Sequence, residues 1–352
     1  MPGQTGAEEE PRYTLYRARP RLLPGRDQPP GARAGGRRSR RPITAGRALR
    51  WLAIAVFAWV AFSVVLFVIS THLASSVSAS ARSALDAGSW PLTSANTILV
   101  LGSDQRTKGT REPGAATTGP SRSDVMLLIR AGGGRSARLS IPRDTIVAIP
   151  GHGRAKINAA YAFGGPALAV ETVKRYLGIP INHLVEVSFE NFPALIDALG
   201  GVDYTGGCVV SRISGGFRNG GYTLRLRAGT THVNGAQALA LARTRHNDCN
   251  PGESDLVRAR RQQKLFSAME HRLVSPGALL RLPWVSWQAP RAIRSDMGAA
   301  TLLGLFGALV TNGTPNTRVL RPSGTASLSD GGVGLVVSPG ERRAETQRFL
   351  QG

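Results

Sequence analysis

From Trp51 to Ser70 the chain reads WLAIAVFAWVAFSVVLFVIS, twenty residues without a charge. At 1.5 Å per residue this is about 30 Å of α-helix, the thickness of a bilayer's hydrocarbon core. A cleaved signal peptide would have an apolar stretch of about 7 to 15 residues behind a short basic segment. Here fifty residues precede the run, so residues 51–72 are read as an uncleaved transmembrane helix. Residues 1–50 hold twelve Arg against Glu8, Glu9, Glu10 and Asp27, and the first Lys or Arg after the run is Arg82. Positive charge stays inside. The expectation is a single-pass protein of the cell membrane, its N-terminus cytoplasmic and everything beyond residue 72 extracytoplasmic.

The first fifty residues are rich in Pro, Gly and Arg with few aliphatic side chains, a composition that predicts a disordered cytoplasmic tail. Residues 73–94 are small and polar, suited to a stalk or a surface helix, and read as an extracytoplasmic stalk. The globular part is expected over 95–352, and 42% hydrophobic residues over the whole chain suffice for a sizeable core. Of 44 Lys and Arg and 22 Asp and Glu, the tail takes 12 and 4, so the exterior part holds 32 basic and 18 acidic residues. Such an excess suits a polyanion. No nucleic acid is expected: a domain outside the membrane meets lipid phosphates and wall polymers, and the tail has no helix-turn-helix pattern. The tail itself suits anionic membrane lipid. Cys208 and Cys249 are the only cysteines. Outside the cell, with too few further Cys or His ligands at close spacing to complete a zinc site, they read as a disulfide.

Three apolar runs, Thr97–Leu101, Val125–Ile129 and Ala137–Ile141, read as buried strands. Helical spacing marks Pro166–Leu177, Phe192–Leu199, a segment capped by Asn234, and a longer one opened by Asp255 and running to about Leu273; His183–Phe189 and Val202–Tyr204 read as strands. Strands and helices alternate to the end. The fold class is α/β: an α/β/α sandwich with a central mixed β-sheet, preceded by one transmembrane helix.

Asp104 leaves the first strand and Asp124 enters the second, so an antiparallel pair would bring both carboxylates to one sheet edge. Two carboxylates with open coordination positions suit Mg²⁺ when phosphate oxygens complete its shell. Arg106 and Arg122 flank them, and carboxylate beside arginine at each strand end calls for a ligand or ion to balance the charges. Arg143 follows Pro142, which extends the backbone before it and aims the side chain, and Asp144 is placed to orient it. Lys156-Ile157-Asn158-Ala159-Ala160-Tyr161 adds polar groups of the same kind. Arg243 and Arg245 are two apart and serve together only if their helix ends there. Arg258, Arg261 and Gln262 make one stripe of the next helix, which a solvated basic face would also explain. Arginine predominates over lysine, and its planar fork suits a diphosphate.

Taken in order, Gly102-Ser103-Asp104-Gln105-Arg106, Arg122-Ser123-Asp124, Ser140-Ile141-Pro142-Arg143-Asp144, Lys156–Tyr161, Asp197–Asp203, Ala238–Arg245 and Asp255–Gln263 resemble the LytR-CpsA-Psr family over roughly residues 95–275. The resemblance implies a Mg²⁺-dependent phosphotransferase. It would move a glycan 1-phosphate from a polyprenyl-diphosphate-linked glycan of arabinogalactan, teichoic or capsular type to a peptidoglycan sugar hydroxyl. It further implies that Asp104 and Asp124 hold the metal and that Arg122, Arg143, Arg243, Arg245 and Gln262 bind the diphosphate. Arg106 and Arg258 are further contacts, and Asp104, Asp124, Arg122 and Arg143 form the catalytic set. It also implies an apolar tunnel for the lipid tail, with Ala159–Leu177 and Leu184–Leu199 as candidate walls. Val125 stands where the family commonly has threonine, and residues 276–352 match less clearly. A lipid-diphosphate hydrolase and a non-catalytic membrane-anchored regulator are the competing readings.

Overall fold

A computed structural model describes residues 45–103, 123–187, 191–213, 222–244, 246–253, 255–312, 317–329 and 331–352. The chain divides into two units, Met1–Trp51 and Leu52–Gly352. Of the first, only residues 45–51 are described, and they are helical; the expected disordered tail otherwise lies outside the described residues. Helix α1 (Ala45–Leu73) contains the whole uncharged run. One apolar N-terminal helix of this length fits a single-pass membrane anchor.

Residues 73–94 are not a detached stalk. They include a short helix, α2 (Ala79–Ser83), capped by Ser78, and Val77 and Ala81 are buried in the main core. Asp86 then accepts hydrogen bonds from Lys174 Nζ at 2.8 Å and the Ile181 amide at 2.9 Å. The lysine's hydrogen bond, with the amide's help, holds the Asp86 carboxyl below its ordinary range against the opposing pull of partial burial. The apolar positions 77, 81, 84 and 85 have helical spacing, but all except Val77 and Leu85 are alanines, which signal burial weakly.

Strands β1 (Asn96–Ser103), β2 (Ser123–Gly132) and β3 (Arg135–Ser140) form an antiparallel meander. A ribbon, β4 (Ile146–Ile149) with β5 (Gly153–Lys156), leads into helix α3 (Ala159–Leu177) and then β6 (His183–Val187), parallel to β1. Helix α4 (Phe192–Leu199) is followed by β7 (Val202–Gly206), β8 (Val209–Ile213), β9 (Tyr222–Leu226) and β10 (Gly229–Val233), with β7 paired to β10 and β8 to β9. Next come α5 (Gly235–Arg243), α6 (Asp255–Leu273), α7 (Pro276–Leu280), α8 (Leu282–Gln288), β11 (Ile293–Ser295) and α9 (Ala299–Asn312). The chain closes with β12 (Thr317–Val319), the hairpin β13 (Gly324–Ser327) and β14 (Val333–Val336), and α10 (Pro339–Gln351).

The main sheet is mixed, in the order β11-β6-β1-β2-β3-β12. Both faces are covered, which is why β1 is apolar at consecutive positions. Leu99, Leu101, Met126 and Leu128 pack on α3, α10 and α2, whereas Ile98, Val100, Leu127 and Ile129 face the side that carries α9. Helix α3 begins seven residues before Pro166. Gly165, at φ 64° and ψ −158°, makes a kink that only glycine accommodates readily, and Pro166 opens the second segment.

Cys208 and Cys249 are disulfide-bonded, joining the start of β8 to the segment after α5. Asn247 reinforces the joint: its Oδ1 accepts from the Val210 amide at 3.0 Å and its Nδ2 donates to the Cys208 carbonyl at 3.0 Å. Replacing both cysteines by serine is expected to lower the unfolding free energy by about 2–4 kcal/mol through loss of loop closure. An unchanged denaturation midpoint for the double variant would refute this.

Candidate functional site

The β1–β2 register sets the site's edge. Gly102 lies opposite Val125 and Ser103 opposite Ser123, which leaves Asp124 as an extra residue in a bulge. The exit of β1 and the entry of β2 therefore meet at one edge of the sheet, as an antiparallel pair requires. Asp104, Arg106, Arg122 and Arg245 lie outside the described residues; Asp124 and Arg258 are placed by their backbones, on β2 and α6.

Arg143 stands in the turn that follows β3. The Asn158 amide donates to its carbonyl at 3.2 Å and the Leu335 amide to the Asp144 carbonyl at 2.8 Å, so the backbone is held from two sides. Asp144 faces two cations, Arg143 Nε at 3.3 Å and Lys156 Nζ at 3.0 Å. It is thus ion-paired with the arginine beside it in sequence and with a lysine of β5. Lys156 is placed by β5, which pairs with β4.

Helix α5 starts with a complete capping box, Asn234 with Gln237, and is drawn tightly onto α4: a Cβ at Gly235 would collide with the Pro193 carbonyl. It ends at Arg243, where Thr244 turns the chain extended at ψ 116°. The helix ends where joint use of Arg243 and Arg245 requires it to. Two side chains of α6 hold that end. Gln262 Nε2 donates to the Ala242 carbonyl at 3.0 Å, and Arg261 Nη1 to the Thr244 carbonyl at 3.2 Å. Arg261 is 5% exposed and ion-paired with Glu253, and its burial lowers its pKa. In the stripe of Arg258, Arg261 and Gln262, the middle residue is thus an internal brace. Gln262 is part brace and part lining.

Between the sheet and α6 lies a cavity of about 1080 Å³. Val125, Leu127 and Ile129 form its floor, and Gln262, Gln263 and Phe266 its α6 side. Arg138, Arg143, Arg260, Arg318, Arg321 and Arg348 line it against three side-chain carboxylates, Asp144, Glu270 and Glu345. The excess is cationic, which suits a polyanion. Val125, Gln262 and Phe266 also border a small apolar recess with Val187, Phe192, Leu265 and Met269. Among the described residues α3 does not line this cavity: it packs on the opposite face of the sheet, its Val170 and Val173 fully buried among Leu99, Leu101 and Met126. From Leu184–Leu199, Val187 and Phe192 do contribute.

Two groups escaped sequence reasoning. Arg138, 7% exposed on β3, donates Nη1 to Glu270 Oε2 of α6 at 2.9 Å, which ties the two sides of the cavity together. An arginine between Ala137 and Leu139 in a strand was a signal; Glu270, 132 positions away, was not. Arg318, Arg321 and Arg348 lie beyond the last recognised motif.

A model of the LytR_cpsA_psr family matches residues 67–342. Among curated relatives, the chain is 33% identical over 179 residues to the polyisoprenyl-teichoic acid–peptidoglycan teichoic acid transferase TagU of Enterococcus faecalis, covering 51% of this chain and 54% of that protein. It is 36% identical over 213 residues to the corresponding transferase TagT of Bacillus subtilis, covering 59% and 62%. The chain thus spans little more than half the length of these relatives. Among solved structures it resembles B. subtilis TagV, at TM-score 0.58 and 25% identity over 74% of this chain and 98% of that one. A TagT structure with bound octaprenyl pyrophosphate lipid shares the fold at TM-score 0.54 and 24% identity, covering 79% and 98%.

Proposed function

This chain belongs to the LytR_cpsA_psr family, and from that membership we propose that it is a membrane-anchored transferase of cell-wall glycopolymers. Its donor is a polyprenyl-diphosphate-linked glycan and its acceptor a peptidoglycan sugar hydroxyl. The anchor is α1, with the N-terminus in the cytoplasm and the domain outside, where a Cys208–Cys249 disulfide persists. The observation that carries the reading is the cavity itself. An arginine-rich chamber adjoins an apolar recess, and the β1–β2 edge beside it carries Asp124.

In the reaction the acceptor hydroxyl attacks the glycan-side phosphorus, the bond to the bridging oxygen breaks, polyprenyl phosphate leaves with the electrons of that bond, and the hydroxyl's proton passes to the departing phosphate or to water. Arg143, oriented by Asp144, offers a planar fork to the phosphates, and Arg243 at the end of α5 supplies a second. Arg106, Arg122, Arg245, Arg258 and Gln262 complete the diphosphate contacts in this reading. The fit of Mg²⁺ rests on the register that ends β1 with Ser103 opposite Ser123, the neighbour of Asp124. Among the described residues no group of three or more His, Cys, Asp or Glu could hold a metal. In this reading Asp104 and Asp124 would hold the ion together with phosphate oxygens. Once bound, Mg²⁺ neutralises charge that develops on the transferring and leaving oxygens.

The test is a mass-spectrometric assay of the purified full chain with a synthetic polyprenyl-diphosphate glycan, Mg²⁺ and a peptidoglycan fragment. The expected product is a glycan-phosphate adduct on the fragment, absent with Asp124→Ala and after chelation. Free glycan phosphate without adduct would replace transfer by hydrolysis.

A further inference from the structure

Helices α7 and α8 take no part in that chemistry, yet together with Val274 just before them they carry a cluster of exposed large apolar side chains. Val274, Leu279, Leu280 and Trp284 expose 61, 46, 73 and 59% of their surfaces. Single exposed hydrophobes are ordinary, whereas four large ones within eleven residues mark a surface that something covers.

The neighbour of this cluster says what that is. Trp59, in the middle of the uncharged run of α1, donates Nε1 to the Leu279 carbonyl at 2.9 Å, and its ring lies 6.2 Å from that of Trp284. Ser70, near the end of α1, donates Oγ to the Trp287 carbonyl at 2.6 Å. Ser63 and Ser70 are buried while the large side chains around them face outward. On the packed stripe that Trp59 shares, Ser63 and Ser70 are small enough to let backbones approach, as where helices meet in lipid. From Trp59 to Ser70 the axis advances about 16 Å, roughly half the hydrocarbon thickness.

We propose that α7 and α8 form a foot embedded in the outer leaflet beside the span, with phospholipid acyl chains covering Leu279, Leu280 and Trp284. The inference rests on the reading of α1 as a transmembrane anchor. Backbone satisfaction supports it. The last turns of α7 and α8 run out of intrahelical donors, and in lipid no water replaces them. Trp59 and Ser70 supply a donor to one carbonyl in each. The charges are arranged accordingly. Arg272 Nε donates to the Leu199 carbonyl at 3.1 Å, and the Arg281 guanidinium lies against Gly200, so both lean toward the domain. Arg291 sits 3.9 Å over the ring of Trp287, level with Ser70, where an interfacial tryptophan and arginine belong. The foot fixes the height of the domain above the membrane, so a lipid-linked donor meets it at one depth.

The test uses the full chain in phosphatidylcholine–phosphatidylglycerol vesicles. The native cysteines are bonded to each other, so a Leu280→Cys variant takes a single environment-sensitive fluorophore. Leu279→Cys serves as a second position, Val64→Cys as the span control and Arg154→Cys as the aqueous control. Labels at 279 and 280 are expected to lose most of their emission with doxyl-labelled phospholipids and to resist iodide, as at Val64, while Arg154 behaves oppositely. Iodide quenching at 279 and 280, with lipid quenching kept at Val64, overturns the foot and leaves the anchor standing. Iodide quenching at Val64 as well overturns both. Labels at 279 and 280 that neither agent reaches mean a protein cover, such as a second copy, and also overturn the foot.

Discussion

Arg143→Ala is expected to lower transfer by about 10²- to 10³-fold while the unfolding midpoint stays near that of the parent. The two halves of this expectation have separate causes. Activity falls because the guanidinium lines the arginine-rich cavity on a backbone pinned by Asn158 and Leu335. Its effect on developing phosphate charge is therefore pre-organised, which is where an arginine contributes most. Stability holds because removal of the side chain leaves Asp144 still paired with Lys156 at 3.0 Å, so no carboxylate is stranded. Arg143→Lys should recover little, since a point charge does not reproduce a fork. Steady-state kinetics on the reconstituted full chain, alongside chemical denaturation followed by tryptophan fluorescence, checks both halves. Unaltered turnover in Arg143→Ala would remove this residue from the site.

Arg261→Leu should act in the opposite way, costing about 3–5 kcal/mol of stability and taking activity down with it. The change leaves the Glu253 carboxylate, 7% exposed in its side chain, without its cation. It also takes a donor from the Thr244 carbonyl, at the turn that ends α5 and positions Arg243. Pairing it with Glu253→Leu should restore most of the loss, because the penalty lies in the stranded charge rather than in the missing pair. A solvated basic face would behave otherwise, each substitution there being worth a few tenths of a kcal/mol. A small effect of Arg261→Leu would therefore contradict the buried brace.

Arg261 also shows where sequence reasoning stops. Its spacing from Arg258 and Gln262 places three residues on one stripe of a helix whose ends, Asp255 and Leu273, were legible to the residue. Spacing cannot say which member of a stripe is sealed. Here that depends on the segment leading to Glu253, which Cys249 ties to β8. The β1–β2 edge was legible for a physical reason: two apolar runs separated by a polar stretch pair antiparallel, and the strand ends then coincide. The bulge at Asp124 was not, since it appears only in the register. The side of the sheet that α3 covers was not legible either, because an apolar helix face shows that it is buried, not which side of the sheet buries it. The Arg138–Glu270 pair joins distant segments, and neither half announces the other.

The last strand of the main sheet, β12, lies parallel to β3, and the helix after it buries Phe349 completely in the core beneath α3. None of this belongs to the motifs that carry the chemistry, which finish near residue 275. A fragment cut there would bare the β3 edge to any passing strand and open an unfilled hole in the interior, an invitation to aggregate. The part of the chain that announces the chemistry is not a part that stands alone. Whoever trims this protein for expression, or trades domains between relatives, has to carry everything through α10.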